Sequence, residues 1–131
     1  MLQLRRHPLA DQMRKVLSIF AIVVLSLFVT ACANYDRAEK VADVRNEEVI
    51  ILINSHYPEH VYGINIRGSG NIDEEATISL MLNGEAYKTE KLKGAVSFKW
   101  GGDWYSDTAE IRYKPNNVNS GELVIEYKFS T

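Results

Sequence analysis

From residue 49 onward, apolar and polar residues alternate in short runs that are bounded by glycine, proline, asparagine and aspartate. An alternation with a period of two is typical of strands that bury one face, and no helical period lies between the runs. The run 49–53 (VIILI) is apolar throughout, which is typical of a strand that is buried on both faces or of one that crosses the core. The pattern predicts seven strands, at 49–53, 61–67, 76–82, 85–92, 95–100, 108–113 and 122–129.

The alternation also predicts which side chains of these strands face inward. The expected inward rows are Tyr62, Ile64 and Ile66; Ala76, Ile78, Leu80 and Leu82; Val96, Phe98 and Trp100; Ala109, Ile111 and Tyr113; and Leu123, Ile125, Tyr127 and Phe129. Between two of the runs stands Asn83-Gly84, and this dipeptide favours a type I′ turn because both central residues of that turn need a positive φ. Residues 76–82 and 85–92 are therefore predicted to form a hairpin.

Seven short strands in about 85 residues predict an all-β fold, a small antiparallel sandwich of immunoglobulin-like type. The Cys, Trp and Cys pattern of antibody domains is absent from the sequence, so the expected likeness is architectural. Gly68, Ser69 and Gly70 are interpreted as a flexible loop that ends one strand, and Lys93-Gly94 as the next break. The sandwich domain is expected to cover residues 49–131.

Residues 32–48 are polar and highly charged after the first two positions, and they carry no apolar stripe wide enough to bury a helix. We interpret them as a flexible tether, which as a random coil would span some tens of ångströms. A short helix at 38–44 is the competing interpretation.

Residues 16–30 form an uninterrupted run of apolar and small residues that follows Met13, Arg14 and Lys15. A helix of this length spans only about 22 Å, which is short of the ~30 Å hydrocarbon core of a bilayer. The segment is therefore predicted to be a cleavable signal peptide rather than a permanent membrane helix. The first twelve residues make the charged region before the apolar run longer than a signal peptide needs, and Met13 is an alternative translation start.

The end of this run, Val29-Thr30-Ala31-Cys32, resembles the lipobox of bacterial lipoproteins. The resemblance implies that residues 1–31 are removed as a lipoprotein signal peptide, that the Cys32 thiol carries a diacylglycerol, and that the new amino group carries a further acyl chain such as palmitate. Several chains together would hold a protein stably at a membrane. Ala33 and Asn34, with no aspartate next to the cysteine, resemble the default route to an outer membrane, where the protein would face the periplasm.

Charge and cysteine content exclude some function classes for residues 32–131, the part of the chain that would remain after the signal peptide is removed. Residues 1–31 hold four basic residues and one acidic residue, which leaves 11 Lys and Arg against 16 Asp and Glu, a net charge of −5. Nucleic-acid binding is not expected, because it needs clustered basic residues that displace counterions from phosphates. The single cysteine cannot form an internal disulfide.

Three groups of residues have side chains that can bind metal ions. They are His56 and His60 with Glu59 between them; Asn71, Asp73, Glu74 and Glu75; and Asp103 with Asp107. Pro58 disfavours a helix that would bring the two histidines together, and the acidic groups do not have the spacing of an EF-hand loop. We interpret all three as solvated loops and predict no metal and no cofactor.

The segment 100–107 (WGGDWYSD) concentrates large aromatic side chains around a Gly-Gly pair. Trp100 continues an inward row and is expected to fill the core. Trp104 and Tyr105, with the neighbouring Asp103, are candidate binding residues, because large aromatics on a loop are common in recognition sites for proteins and sugars.

No nucleophile with its base, and no pair of carboxylates in a cleft, stands out in the sequence, so an enzyme is not expected. The leading hypothesis is a noncatalytic binding or assembly module that is held by lipid at the bacterial envelope and contacts another envelope protein. The alternative is a glycan-binding lipoprotein, for peptidoglycan or surface polysaccharide, that uses the loop of Trp104 and Tyr105.

Overall fold

A computed structural model describes residues 34–56 and 59–131. It shows six strands: β1 (Arg37–Lys40), β2 (Glu48–Ile53), β3 (Gly63–Leu82), β4 (Glu85–Asp103), β5 (Thr108–Pro115) and β6 (Gly121–Ser130). All pairings between them are antiparallel. In this part of the chain there is no helix with the length and hydropathy that crossing a membrane would require.

The two longest strands, β3 and β4, form a hairpin that runs through both layers of the fold. Its tip is the predicted turn, and Asn83 and Gly84 both have a positive φ, as a type I′ turn requires. Regular pairing is interrupted once in the middle, between Ile72 and Ala76 of β3, where three residues face a single residue of β4. Such an irregularity bends a hairpin and lets its two halves belong to different sheets.

The strand pairing separates the fold into two four-stranded layers around this bend. In sheet I the order is β1, β6, β3 residues 63–72 and β4 residues 94–103. In sheet II it is β2, β5, β3 residues 76–82 and β4 residues 85–92. The predicted all-β antiparallel sandwich is confirmed, whereas this order is that of a jelly roll and not that of an immunoglobulin domain.

The prediction of seven strands is wrong, because two predicted breaks lie inside strands and one strand was missed. The flexible loop predicted at 68–70 is part of β3, in which Ser69 pairs with Ser97 on one side and with Val124 on the other. The break predicted at Lys93-Gly94 lies in β4, opposite the bend. Glycine in a strand interior therefore marks close approach and curvature here, and not an end.

A single apolar core lies between the sheets. It contains the predicted inward rows of β4, β5 and β6 in full, and Tyr113 and Tyr127 are among its largest fully buried side chains. Two predicted core residues are exposed instead: Tyr62, which precedes β3, and Leu82, which follows a second register shift at Leu80/Met81.

The predicted polar tether is wrong for residues 37–48, because they belong to the folded domain. β1 pairs with β6, and Val41 and Val44 lie in the core. The Tyr113 hydroxyl donates a hydrogen bond of 2.6 Å to the carbonyl oxygen of Val44 and so fastens the segment between β1 and β2 to sheet II. The helix considered at 38–44 is absent from this segment.

The run 49–53 is not buried on both faces. Ile50 and Leu52 are in the core, but Val49, Ile51 and Ile53 are about half exposed. The reason is that sheet II packs one face on the core and turns the other face to solvent, so β2 buries only alternate side chains.

Candidate functional site

Large apolar side chains meet at the surface where the tip of the β3–β4 hairpin lies beside the end of β4. They line a depression of about 390 Å³ together with two polar residues. We call it the Tyr105 depression, and its residues are Leu82, Tyr87, Asp103, Trp104, Tyr105 and Ser106. Three of its four large apolar side chains are well exposed: Tyr105 by 79%, Tyr87 by 54% and Leu82 by 43%.

Two of the three candidate binding residues, Tyr105 and Asp103, line the depression from exposed positions. The third, Trp104, is mostly buried. Its side chain is only 7% exposed, and the indole N–H donates a hydrogen bond of 3.0 Å to the carbonyl oxygen of Thr108. Its backbone N–H bonds the carbonyl oxygen of Tyr62 at 3.2 Å. Trp104 is therefore an anchor of the β4–β5 loop, and it lines the depression from a largely buried position.

The sequence prediction missed Tyr87 and Leu82, and a β-bulge explains why. A two-residue hairpin turn with regular pairing would place Tyr87 opposite Leu80. In the structure, Met81 pairs with Ala86 and Leu80 pairs with Lys88, so Tyr87 is the extra residue. A bulge redirects side chains, and here it turns Tyr87 and Leu82 outward toward the loop of Tyr105. No local pattern in the sequence signals this shift.

The histidines and acidic residues are held apart or are used in the fold. His56 Nε2 lies 3.2 Å from Asp36 Oδ2, at the start of the described chain, and Asp107 Oδ1 accepts a bond of 3.2 Å from the Asn54 side chain. Pro58 lies outside the described residues. Within residues 34–56 and 59–131, no group of three His, Cys, Asp or Glu side chains could hold a metal ion.

Asp73, in the acidic group at 71–75, fastens the turn before β6. Its Oδ1 accepts the backbone N–H groups of Asn119 at 2.9 Å and Ser120 at 3.2 Å. These hydrogen bonds, that from Asn119 first and that from Ser120 second, lower the pKa of Asp73 below its ordinary value because they stabilise the charged carboxylate. The predicted solvated acidic loop is thus partly a structural contact.

The Asp73 contact leads to an expected pH dependence. A lowered pKa in the folded state stabilises the fold above the ordinary aspartate value, and this contribution is lost as the pH falls through the folded-state value. Asp73→Asn is therefore expected to unfold at a lower urea concentration than the parent at pH 7. The difference should shrink as the pH falls through the folded-state pKa of Asp73, because the parent then also becomes neutral at this position. A difference that stays constant with pH would contradict the charge-based explanation.

Cys32 and the whole predicted signal segment lie outside the described residues. Their assignment remains the expectation drawn from the lipobox.

No protein-family model matches the chain, and comparison with curated proteins gives no match either. Among solved structures, a de novo designed double-stranded beta-helix has a TM-score of 0.37 and 14% identity, over 72% of this chain and 100% of that one. The carbohydrate-binding module CBM36, in complex with calcium and xylotriose, has a TM-score of 0.35 and 12% identity, over 72% and 89%.

A third similar structure comes from Bacillus endospore appendages, described as disulfide-linked pili. Its TM-score is 0.29 at 16% identity, over 76% of this chain and 96% of that one. All three TM-scores are below 0.5, so these likenesses do not indicate a ligand or a partner.

Proposed function

We propose that this protein is a noncatalytic binding module, anchored through lipid on Cys32 at the bacterial envelope, that binds an envelope protein through the Tyr105 depression. The observation that carries the proposal is the clustering of Tyr105, Tyr87 and Leu82, which are all exposed around one concave surface. Single exposed apolar residues are ordinary, but several around one depression are typical of an interaction site.

The depression has the composition of the centre of a protein interface. Tyrosine is enriched there because its ring buries a large area at low entropic cost while its hydroxyl remains able to bond water or the partner. The polar contribution to the lining comes from Asp103 and Ser106 at its rim. If an apolar side chain of a partner enters the Tyr105 depression, both surfaces are therefore desolvated, and few polar groups of the lining lose a hydrogen-bonding partner.

The support beneath the depression is rigid. Trp104 is fixed by its two hydrogen bonds, and Tyr87 is held beyond the regular ladder by the bulge. The Lys88 ammonium lies 5.5 Å from the centre of the Tyr87 ring and adds a cation–π contact on that side. A preformed site loses little conformational entropy on binding.

A glycan ligand, the second function considered, is favoured less by this geometry. Sugar sites combine an open aromatic face with several groups that bond hydroxyls, and Trp104, one of the two aromatic residues of the predicted glycan site, is buried. Tyr105 is exposed, and attachment of glycan in place of a protein would support this second function.

The position of β1 changes the expected geometry of the anchor. Five residue steps separate Cys32 from Arg37, where β1 begins, and an extended chain of that length spans at most about 18 Å. If Cys32 is lipidated, the module lies close to the membrane surface and not tens of ångströms away. A partner would then be bound near the membrane.

The proposal is tested by placing a photo-crosslinking residue at Ser106 in the full-length protein and irradiating the cells that make it. Attachment to one discrete protein is expected. Tyr105→Ser and Tyr87→Ser in that background should each reduce the adduct by at least about tenfold, which corresponds to about 1.4 kcal/mol of binding free energy.

Tyr62→Ser is the matched control, since Tyr62 is an exposed tyrosine that does not line the depression. A crosslinker at exposed Asn116, beyond the other end of β5, controls for unspecific attachment. An adduct that is unchanged in Tyr105→Ser, or that consists of glycan, would refute the proposed protein partner.

A further inference from the structure

The edges of the sandwich are protected unequally. An edge strand offers unpaired backbone groups to other chains, and charged side chains are a common protection against such pairing. β1 is four residues long with the sequence RAEK, and β4, the edge of both sheets on the other side, carries Lys88, Lys91, Lys93 and Lys99. β2 carries no charge from Val49 to Ile53.

The hydrogen-bond pattern shows which backbone groups of β2 are free. The Asn54 N–H donates to the Asp107 carbonyl oxygen at 2.8 Å, in the same register that pairs Leu52 with Ala109. Because bonded and non-bonded pairs alternate in an antiparallel ladder, even-numbered residues of β2 face β5. Val49, Ile51 and Ile53 therefore direct their N–H and C=O groups away from β5, and no strand of the described chain pairs with that side.

The same three residues also expose their side chains. Val49 is 55%, Ile51 is 47% and Ile53 is 52% exposed, all on the outer face of sheet II. Free backbone groups and free apolar side chains thus occur together on one unprotected edge. Exposure of both to water is unfavourable. A further strand that pairs with β2 would bond these backbone groups and cover part of the apolar side chains.

We propose that this edge pairs with β2 of a second copy of the chain, antiparallel and about a two-fold axis at Ile51. Side chains directly opposite each other in an antiparallel pair lie on the same face, so exposed residues must meet exposed residues. With Ile51 opposite Ile51 and Val49 opposite Ile53, all three residues that have free backbone groups are paired. The pairing would form about six backbone hydrogen bonds.

The charges are compatible with this register. Glu48 of one copy would lie opposite Asn54 of the other, so no like charges are brought into direct opposition. A shift of the axis by one residue would leave either Val49 or Ile53 without its apolar partner. The sequence of the edge is therefore complementary to itself in one register, which favours a second copy over an unrelated strand.

The size of the contact predicts a weak association. The strand is about 20 Å long and a sheet about 10 Å thick, so pairing buries roughly 400 Å² in total, below the ~1,200 Å² of a stable interface. Pairing is expected to depend on concentration. Confinement of the copies to one surface would favour it.

Cysteine crosslinking in the full-length protein, in the membrane fraction of cells that make it, tests this register. Cα atoms of a bonded antiparallel pair lie about 5.5 Å apart, within disulfide range. Ile51→Cys should therefore crosslink to itself under mild oxidation and give a covalent dimer. In Val49→Cys the two thiols lie four residues apart along the strands, roughly 13 Å, and should not crosslink.

The expected result is at least about a tenfold higher dimer yield for Ile51→Cys than for Val49→Cys or Ile53→Cys. The double variant Val49→Cys with Ile53→Cys should recover the dimer, and Ile51→Lys in that background should abolish it. The unchanged chain, which has Cys32 alone, gives the background. Equal yields from the three single variants, a disulfide to a different protein, or no dimer from an Ile51→Cys thiol that reacts with a maleimide would each overturn the proposal. None of these results bears on the Tyr105 depression.

Discussion

Gly70→Ala is expected to destabilise the folded domain by at least about 3 kcal/mol, which is a large fraction of the stability of a domain of this size. Gly70 lies in the centre of sheet I with a φ of 145°, a conformation that L side chains rarely adopt. A Cβ atom at this position would lie 1.9 Å from the carbonyl oxygen of Glu122 in β6. The obstacle is backbone on the neighbouring strand, so a change of rotamer cannot relieve it. Urea unfolding monitored by tryptophan fluorescence measures the effect.

Gly94→Ala is the matched control. Gly94 also has a positive φ, of 65°, but no atom lies within 4 Å of the position of its Cβ. Its replacement should cost only the backbone strain of about 1–2 kcal/mol. An equal loss of unfolding free energy in the two variants would contradict the close approach of β3 and β6 at Gly70.

Tyr113→Phe is expected to cost about 1–3 kcal/mol, the range for leaving a buried carbonyl oxygen without its donor. The lost hydroxyl donates to Val44, and that bond fastens the segment between β1 and β2. Burial raises the pKa of the Tyr113 hydroxyl, with smaller contributions from the charges of Asp73 and Asp43, so the group stays protonated and remains a donor. Urea unfolding gives the loss, and amide exchange at Val41 should become faster.

Tyr127→Phe provides the comparison. Tyr127 is as deeply buried as Tyr113, but its hydroxyl is not the group that bonds the segment between β1 and β2. Removal of this hydroxyl should leave amide exchange at Val41 unchanged and should cost less than removal of the Tyr113 hydroxyl, because the bond to Val44 is kept. Equal losses in the two variants would show that the bond to Val44 does not hold the segment.

Much of the core could be predicted because it depends on a single local property. Once a strand buries one face, a period of two assigns every side chain to the inside or the outside. The rows of β4, β5 and β6 follow this rule without exception. The type I′ turn at Asn83-Gly84 is also local, since it needs only two residues that tolerate a positive φ.

The strand boundaries depended on neighbours that are distant in the sequence. Gly70 indicates a break when it is considered alone, but its lack of a side chain allows the close approach of β6, which begins 51 residues later at Gly121. β1 gives no signal at all, because a short edge strand with exposed side chains has no alternation to detect. The run 49–53 likewise does not indicate whether it lies at the centre or the edge of a sheet.

The candidate site was predicted in part for the same reason. The loop at Tyr105 is visible as a concentration of aromatics, whereas the second wall of the depression depends on a bulge and on the folding of a hairpin tip against the end of its own strand. The burial of Trp104 depends on Thr108 and Tyr62, which become its neighbours only in the folded sheet.

The pairing of β1 with β6 has a consequence for the order in which the domain can fold. Arg37 pairs with Tyr127, 90 residues later in the chain, and β6 also separates β1 from β3 in sheet I. The β3–β4 hairpin can form early because its contacts are local, but β1 has no partner until β6 has been synthesised. Contacts between residues that are this far apart in the sequence form slowly. If the chain crosses a membrane from its N-terminus, sheet I would thus stay incomplete until β6 has crossed. The chain could therefore continue to pass through as an unfolded segment until nearly all of it has crossed.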